Sequence, residues 1–199
     1  MARAAEQTSE RILRKAYDSF YRAGFARVSV DDIAEAAGVT KKTLYYHFES
    51  KDALVGAVLD FQHAFALRQF QSWGGDDAKD AVEFVDGIFA SLARWASRPR
   101  FMGSGFTRIV MECADLPGHP ARGAARRHKR LVEDWMASRL ESFAVPDAKL
   151  LAAQIWMLVE GCMVFMLIHG DTAYAAHAAA AARTLLERPR RKRAAKERG

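Results

Sequence analysis

Between Ser29 and Lys51 the chain gathers side chains able to hydrogen-bond a polyanion: Ser29, Thr40, Lys41, Lys42, Thr43, Tyr45, Tyr46, His47 and Lys51. The chemistry that these donors and cations suit together is recognition. The pattern around them decides the mode. Ser29 reads as an N-cap, with Asp32 three residues on completing a capping box and Asp31 adding negative charge to the first turn. Ile33, Ala34 and Ala37 share one face of a two-turn helix, and Gly38 follows where a left-handed closing residue is required. Thr40 caps again, and a second short helix from Lys41 to Phe48 turns Leu44 inward, leaving Lys41, Lys42, Thr43, Tyr45, Tyr46 and His47 on its remaining surface. Two short helices joined by a glycine-containing turn form a helix-turn-helix, whose second helix enters the DNA major groove.

A second chemistry-bearing residue is Glu160, alone in an apolar run. A buried carboxylate needs a partner or a raised pKa. Three roles stay open for it: an ion pair across a dimer seam, hydrogen bonds within one subunit, or contact with a ligand. Phenylalanine, tryptophan and methionine crowd the same part of the chain, as suits an apolar pocket between bundle helices. The expected wall is Phe106, Ile109 and Val110 on the sixth helix, Trp135 on the seventh, and Trp156, Glu160 and Met163 on the eighth. The basic stretch Arg122, Arg126, Arg127, Lys129 and Arg130 is expected to be a solvated helical face, with an entrance for acidic ligands as the alternative. Cys162 and His169 lie two turns apart on one helix with no third orienting group and no oxyanion glycine motif, so catalysis is not expected. The chain is read as no enzyme, with no metal site and no cofactor.

The elements that must hold these residues are all helical. Half the residues are hydrophobic, and strand alternation, hairpin signals and repeats do not occur. The first helix is expected from about Ser9 to Ala23, capped by Thr8 or Ser9, with Ile12, Leu13, Ala16 and Phe20 inward. Ser50 caps a long fourth helix that carries Leu54, Val55, Val58, Leu59, Phe61 and Phe65 toward Trp73. A fifth runs from about Ala78 to Ser97 with Val82, Val85 and Ile88 at helical spacing. A sixth runs from Phe101 or Ser104 to about Cys113, and includes Met111. A seventh, about Ala121 to Phe143, turns Leu131, Trp135 and Leu140 inward; an eighth spans Ala148 to His169; an alanine-rich ninth reaches about Leu186. Between residues 150 and 168 only Gln154 and Glu160 are polar. A carboxylate near the centre of a bilayer costs about 2.5–3.5 kcal/mol, so that helix is read as buried in protein rather than in lipid.

The net charge is +6, but residues 188–199 alone hold seven Lys/Arg against one Glu, which leaves 23 charges of each sign in the rest. The basicity is a property of the tail, expected to be disordered. Two widely separated cysteines, Cys113 and Cys162, fit a reducing cytoplasm, and the N-terminus has no apolar signal segment.

The stretch from Val28 to Lys51 resembles the DNA-binding region of the TetR family of transcriptional regulators. The matching residues are Val30-Asp31-Asp32-Ile33-Ala34, Ala37-Gly38-Val39-Thr40, Thr43 to Phe48 and Ser50 to Leu54, with Ile12-Leu13, Ala16, Phe20, Gly24 and Phe25 matching the first helix. At Lys42 the chain departs from the family, where glycine or proline is common. The resemblance implies an all-α protein of about nine helices, with a three-helix DNA-binding domain over 1–52, a ligand-binding and dimerisation bundle over 53–187 and a basic tail over 188–199. It implies that Lys41 and Lys42 reach base edges or phosphates, that Thr43 and Tyr45 touch bases, and that Tyr46, His47, Lys51 and Ser29 hold phosphates. It further implies a cytoplasmic homodimer, joined through its last two helices, that binds a palindromic double-stranded operator. A small, largely apolar effector would release it. An activator, or a regulator blind to ligands, fits the same scaffold.

Overall fold

The computed structural model describes residues 2–187; the basic tail lies outside them. Nine helices follow one another and no strand occurs among the described residues: α1 (Ala2–Ala23), α2 (Val30–Ala36), α3 (Lys41–His47), α4 (Lys51–Gly74), α5 (Ala81–Ala96), α6 (Gly105–Glu112), α7 (Pro120–Ser142), α8 (Ala148–His169) and α9 (Ala173–Leu186).

Local chemistry sets most boundaries. Ser29, Thr40, Ser50, Asp80 and Ser104 each accept a hydrogen bond from a backbone N–H of the helix they open. This satisfies donors that the first turn cannot pair. Gly38 turns the chain after α2 at φ +61°, a conformation that costs other residues a clash with their own carbonyl. The first helix begins seven residues earlier than its cap signals suggest. Thr8 is inside it, returning its hydroxyl to the Ala4 carbonyl at 2.9 Å. The stretch ahead of it is rich in alanine, arginine, glutamate and glutamine, all strong helix formers, and these outweigh a cap. The fifth helix starts three residues late, after Asp80, whose carboxylate accepts from the Glu83 N–H.

Two hydrophobic clusters divide the interior. One joins Ile12, Ala16 and Phe20 of α1, Ile33 of α2, Leu44 of α3 and Leu54, Val55, Val58 and Leu59 of α4. It also takes in Phe106, Ile109 and Cys113 of α6 and Ala121 and Ala124 of α7, so the helix-turn-helix head is packed from above by the bundle. The second cluster joins Phe70 near the end of α4 to α5, the C-terminal half of α7, α8 and α9. Helix α4 contributes to both. It crosses α7 so closely that a Cβ on Gly56 would stand 2.8 Å from the Pro120 Cβ.

Several apolar residues expected inside are on the surface. Phe65, Val82, Met111 and Leu131 are exposed. Helix α8 is the largest case. Ile155, Val159, Cys162, Met163 and Met166 are buried, whereas Leu150, Met157, Val164, Phe165 and Ile168 face outward, Met157 at 66% and Ile168 at 68% exposure. One side of α8 is therefore core, and the other is an apolar stripe open in the single chain.

Candidate nucleic-acid interface and effector cavity

The head presents α3 as an exposed ridge. Only Leu44 of its seven residues is buried, and it anchors the helix on Ile12, Ile33 and their neighbours. Lys41, Lys42, Tyr45 and Tyr46 are exposed, Tyr46 at 81%; Thr43 and His47 are partly covered. Tyr45 thus stands outside the head's core. Lys42 has no ion-pair partner among the described residues, but Lys41 reaches back to Asp31 of α2 at 2.9 Å, and that carboxylate raises the lysine's pKa. Thr40 is held in place by its own cap: its hydroxyl accepts from the Thr43 N–H at 3.1 Å and lies 2.9 Å from the Thr43 hydroxyl.

Ser29 and Lys51 flank the ridge, and both are engaged. The Asp32 carboxylate accepts from the Ser29 backbone N–H at 2.8 Å and from its hydroxyl at 2.7 Å, while the same hydroxyl accepts from the Asp32 N–H at 3.1 Å. These bonds hold the Asp32 carboxyl below its ordinary pKa. The Lys51 ammonium donates to the Phe25 carbonyl at 2.7 Å and lies 4.2 Å above the Phe25 ring centroid; partial burial lowers its pKa. It ties the first turn of α4 to the loop after α1.

Farther from the head, Glu160 of α8 is satisfied within one subunit. It pairs with Lys129 of α7, and its other oxygen accepts from the Thr107 hydroxyl of α6 at 2.6 Å. The Lys129 ammonium also donates to the Thr107 oxygen at 3.0 Å and lies 5.2 Å from the Trp156 ring centroid. Burial lowers the Lys129 pKa, against the pull of Glu160. This triad is a partition. On its outer side a cavity of about 370 Å³ opens between α6 and α7, with Phe106, Val110 and Met111 on one wall and Arg122, Arg126 and Lys129 on the other. On its inner side a tight cleft of about 60 Å³ is bounded by Tyr17, Phe70, Trp73, Trp95, Phe106 and Met163. The Phe106 ring stacks on His128 at 3.8 Å between centroids, and His128 Nδ1 lies 2.9 Å from His63 Nδ1. Burial, with the nearby Lys129 charge, pushes the His128 pKa down to about 3.

The two regions are mechanically joined by α6. Arg108 donates to the Tyr21 carbonyl at 2.6 Å, Tyr21 donates through its hydroxyl to the Gly103 carbonyl at 3.2 Å, and the Glu112 carboxylate accepts from the Ala26 N–H at 2.9 Å. At the base of α7, buried His119 accepts from the Ala121 N–H at 3.1 Å and lies 3.4 Å from the Asp52 carboxylate at the start of α4.

The family model of bacterial regulatory proteins of the tetR type matches residues 12–58. TtgR, a helix-turn-helix transcriptional regulator of Pseudomonas putida, is 46% identical over 59 residues, 30% of this chain and 28% of TtgR. The match to TtgR thus spans well under a third of its length. UidR, a transcriptional regulator of Escherichia coli, is 32% identical over 142 residues, covering 70% of this chain and 68% of UidR. The chain belongs to the TetR family of transcriptional regulators. A TetR-family regulator of Streptomyces coelicolor superposes with a TM-score of 0.76 at 25% identity, covering 91% of this chain and 95% of that one. Escherichia coli NemR shares the fold at TM-score 0.80 and 18% identity, covering 89% and 96%. TetR-family proteins regulate transcription by binding DNA and are not enzymes.

In this TetR-family chain the structure brings Thr40, Lys41, Lys42, Thr43, Tyr45, Tyr46 and His47 onto or beside one ridge, with Ser29 and Lys51 at the adjoining helix starts. Of the expected effector residues, Phe106, Val110 and Glu160 line the outer cavity, and Phe106, Glu160 and Met163 the inner cleft. Three others are drawn away. Ile109 is fully buried in the head cluster, Trp135 packs on Phe84 with ring centroids 5.5 Å apart, and Trp156 is buried against Phe70 at 5.0 Å. Trp156 reaches the polar triad only through its face. Sequence reasoning overlooked Thr107 and Lys129 as the partners of Glu160. A signal for Lys129 was present: residues 122, 126 and 129 follow i, i+4, i+7 spacing, which puts Arg122, Arg126 and Lys129 on one helical face.

Proposed function

We propose that this regulator is a homodimeric repressor that occupies a palindromic operator and leaves it when a small, largely apolar effector enters the bundle. The observation that carries the DNA half is the α3 ridge: one buried anchor and six polar or aromatic side chains facing outward or along its rim. Lys42 is free for a phosphate or a guanine edge, and Lys41 exchanges Asp31 for the duplex. Thr43 and Tyr45 read bases; Tyr46 and His47 hold the backbone. Ser29 and Lys51 stand at helix N-termini, where a phosphate is favoured. The functional division falls near residue 52, with the reading head over 1–52 and the effector and dimer bundle over 53–187. The site of action is the cytoplasm, where the duplex lies.

Pairing is supported by the open stripe of α8. Leu150, Met157, Val164 and Ile168 recur at helical spacing, and a Cβ on Gly161 would meet nothing within 4 Å, so a second backbone can approach there. Two copies of α8 and α9 would cover the stripe as a four-helix interface and set two α3 ridges about 34 Å apart, one turn of duplex. Release is supported by α6, which touches the cavity through Phe106, Thr107 and Val110 and the head through Arg108 and Glu112. An effector that repositions α6 changes the pose of both heads. To turn a mostly bound population into a mostly free one, it must favour the released pose by about 5.5 kcal/mol.

The test is selection of binding sites from a randomised duplex pool, followed by footprinting and sedimentation. Two protected half-sites one turn apart, bound by a dimer, are expected; a monomer indifferent to duplex at low salt would overturn the reading. Operator binding titrated with candidate effectors separates repressor from ligand-blind regulator, since the latter keeps its affinity throughout. Transcription assayed on that operator separates repression from activation.

A further inference from the structure

We propose that the α6–α7 cavity takes an amphipathic organic anion, a small apolar body ending in one carboxylate. The inference rests on the effector reading above and assigns the chemical class of the ligand. Four charged side chains face the cavity: Arg122, Arg126, Lys129 and Glu160. Two of them cancel. Lys129 and Glu160 are paired, and both are tied to the Thr107 hydroxyl. Arg122 and Arg126 have no ion-pair partner among the described residues, unlike Arg127 beside them, which is bound by Asp60 at 2.7 Å. The unspent charge at the cavity is therefore that of two guanidiniums, one turn apart on the same face of α7. The buried imidazole of His128 adds none, because burial keeps it neutral near pH 7.

The opposite wall is apolar. Phe106, Val110 and the exposed thioether of Met111 come from α6, and Ala125 closes the floor between the arginines and Lys129. A volume of about 370 Å³ suits a ring or a short chain with one polar end. Guanidinium binds carboxylate through two parallel N–H donors, and a charge-assisted bond of this kind is roughly twice as strong as a neutral one. A cationic ligand meets the reverse situation: it must pass both arginines and then displace Lys129 from Glu160, stranding an ammonium beside Trp156. A neutral ligand fills the apolar wall and leaves the arginines unused. The anion alone engages both walls, and in doing so it bridges α7 to α6, the helix bound to the head at Tyr21 and Ala26.

The experiment uses the full chain without DNA and three probes that share one apolar body: 4-phenylbutyrate, 4-phenyl-1-butanol and 4-phenylbutylamine. Binding is followed by titration calorimetry. The acid is expected to bind about tenfold more tightly than the alcohol, with the amine weakest. In the Arg122→Gln/Arg126→Gln double variant the acid should fall to the affinity of the alcohol, and the alcohol should be unmoved. Both positions are exposed, so folding is not at stake, and circular dichroism checks it. An alcohol or amine that equals the acid, an acid preference that survives loss of both arginines, or an acid that fails to bind at millimolar concentration would overturn the inference. DNA enters only in a second arm. An acid that binds but leaves operator occupancy unchanged keeps the anion assignment and overturns the ligand-released repressor; an alcohol that binds as tightly as the acid and releases the operator overturns the anion assignment and keeps the repressor.

Discussion

The head and the Thr107–Lys129–Glu160 triad solve the same problem, fixing polar side chains in place, by opposite means. In the head each constraint is local and wet. Ser29 is held by Asp32 and Thr40 by Thr43, three residues away in each case, at exposed positions. At the triad each constraint is distant and half dry. Glu160 meets Lys129 across 31 residues of chain and Thr107 across 53, with both charged side chains about three-quarters covered. Exposed pairs gain little because water screens them and competes for their partners. A covered pair is bound to its geometry, since removing one member leaves a charge stranded. The head can therefore trade its internal partners for a duplex at small cost, whereas the triad resists change until something replaces what it loses. A reading surface needs the first property, and the switch proposed for the bundle needs the second.

The sharpest break would come at the dimer seam proposed along α8. Met157→Glu or Ile168→Glu should weaken dimerisation by roughly a thousandfold, because each carboxylate is buried twice across the two-fold axis at about 2 kcal/mol or more apiece. Analytical ultracentrifugation measures it, and operator affinity should fall in parallel. Next is the triad itself. Lys129→Met should cost about 3–5 kcal/mol in urea unfolding by stranding Glu160, and the Lys129→Met/Glu160→Gln double variant should recover most of that loss. Additive losses would mean the pair is not the coupled unit described.

The third test turns on the buried imidazole of the bundle. His128 is held neutral with a folded pKa near 3 against an ordinary 6.5, so the unfolded chain binds a proton that the folded one does not. Stability is full above pH 6.5 and should decline as the pH falls from 6.5 toward 3, by at most about 1.4 kcal/mol per unit from this one group. His128→Phe should flatten that slope in denaturation series; an unchanged slope would remove the assignment.

Smaller effects belong to the reading surface. Lys42→Ala should reduce the salt dependence of duplex binding by about one unit, and Lys41→Ala by less, since Asp31 already competes for that ammonium. Asp31→Ala should strengthen nonspecific binding. Equal slopes for the two lysine variants would remove the asymmetry assigned to them. The smallest expected change is Ser29→Ala, about 1 kcal/mol of stability through the lost cap.

What could be read directly from residue order shares one property: the partners lie within a turn or two of each other. The caps at Ser29, Thr40 and Ser50, the glycine turn at Gly38, the span of α8 and the outward residues of α3 all follow from spacing and side-chain chemistry over a few positions. Where two local signals competed, at the start of α1, the stronger helix-forming stretch overrode the cap. Tertiary packing alone decided the rest. It sent Ile109 into the head core and Trp135 onto Phe84, and it left one stripe of α8 uncovered. It chose Lys129 and Thr107, out of many cations and hydroxyls, to neutralise Glu160. A helix's amphipathic period fixes which side turns inward, but which neighbour waits there depends on how three helices far apart in the chain cross, and no short-range spacing encodes that.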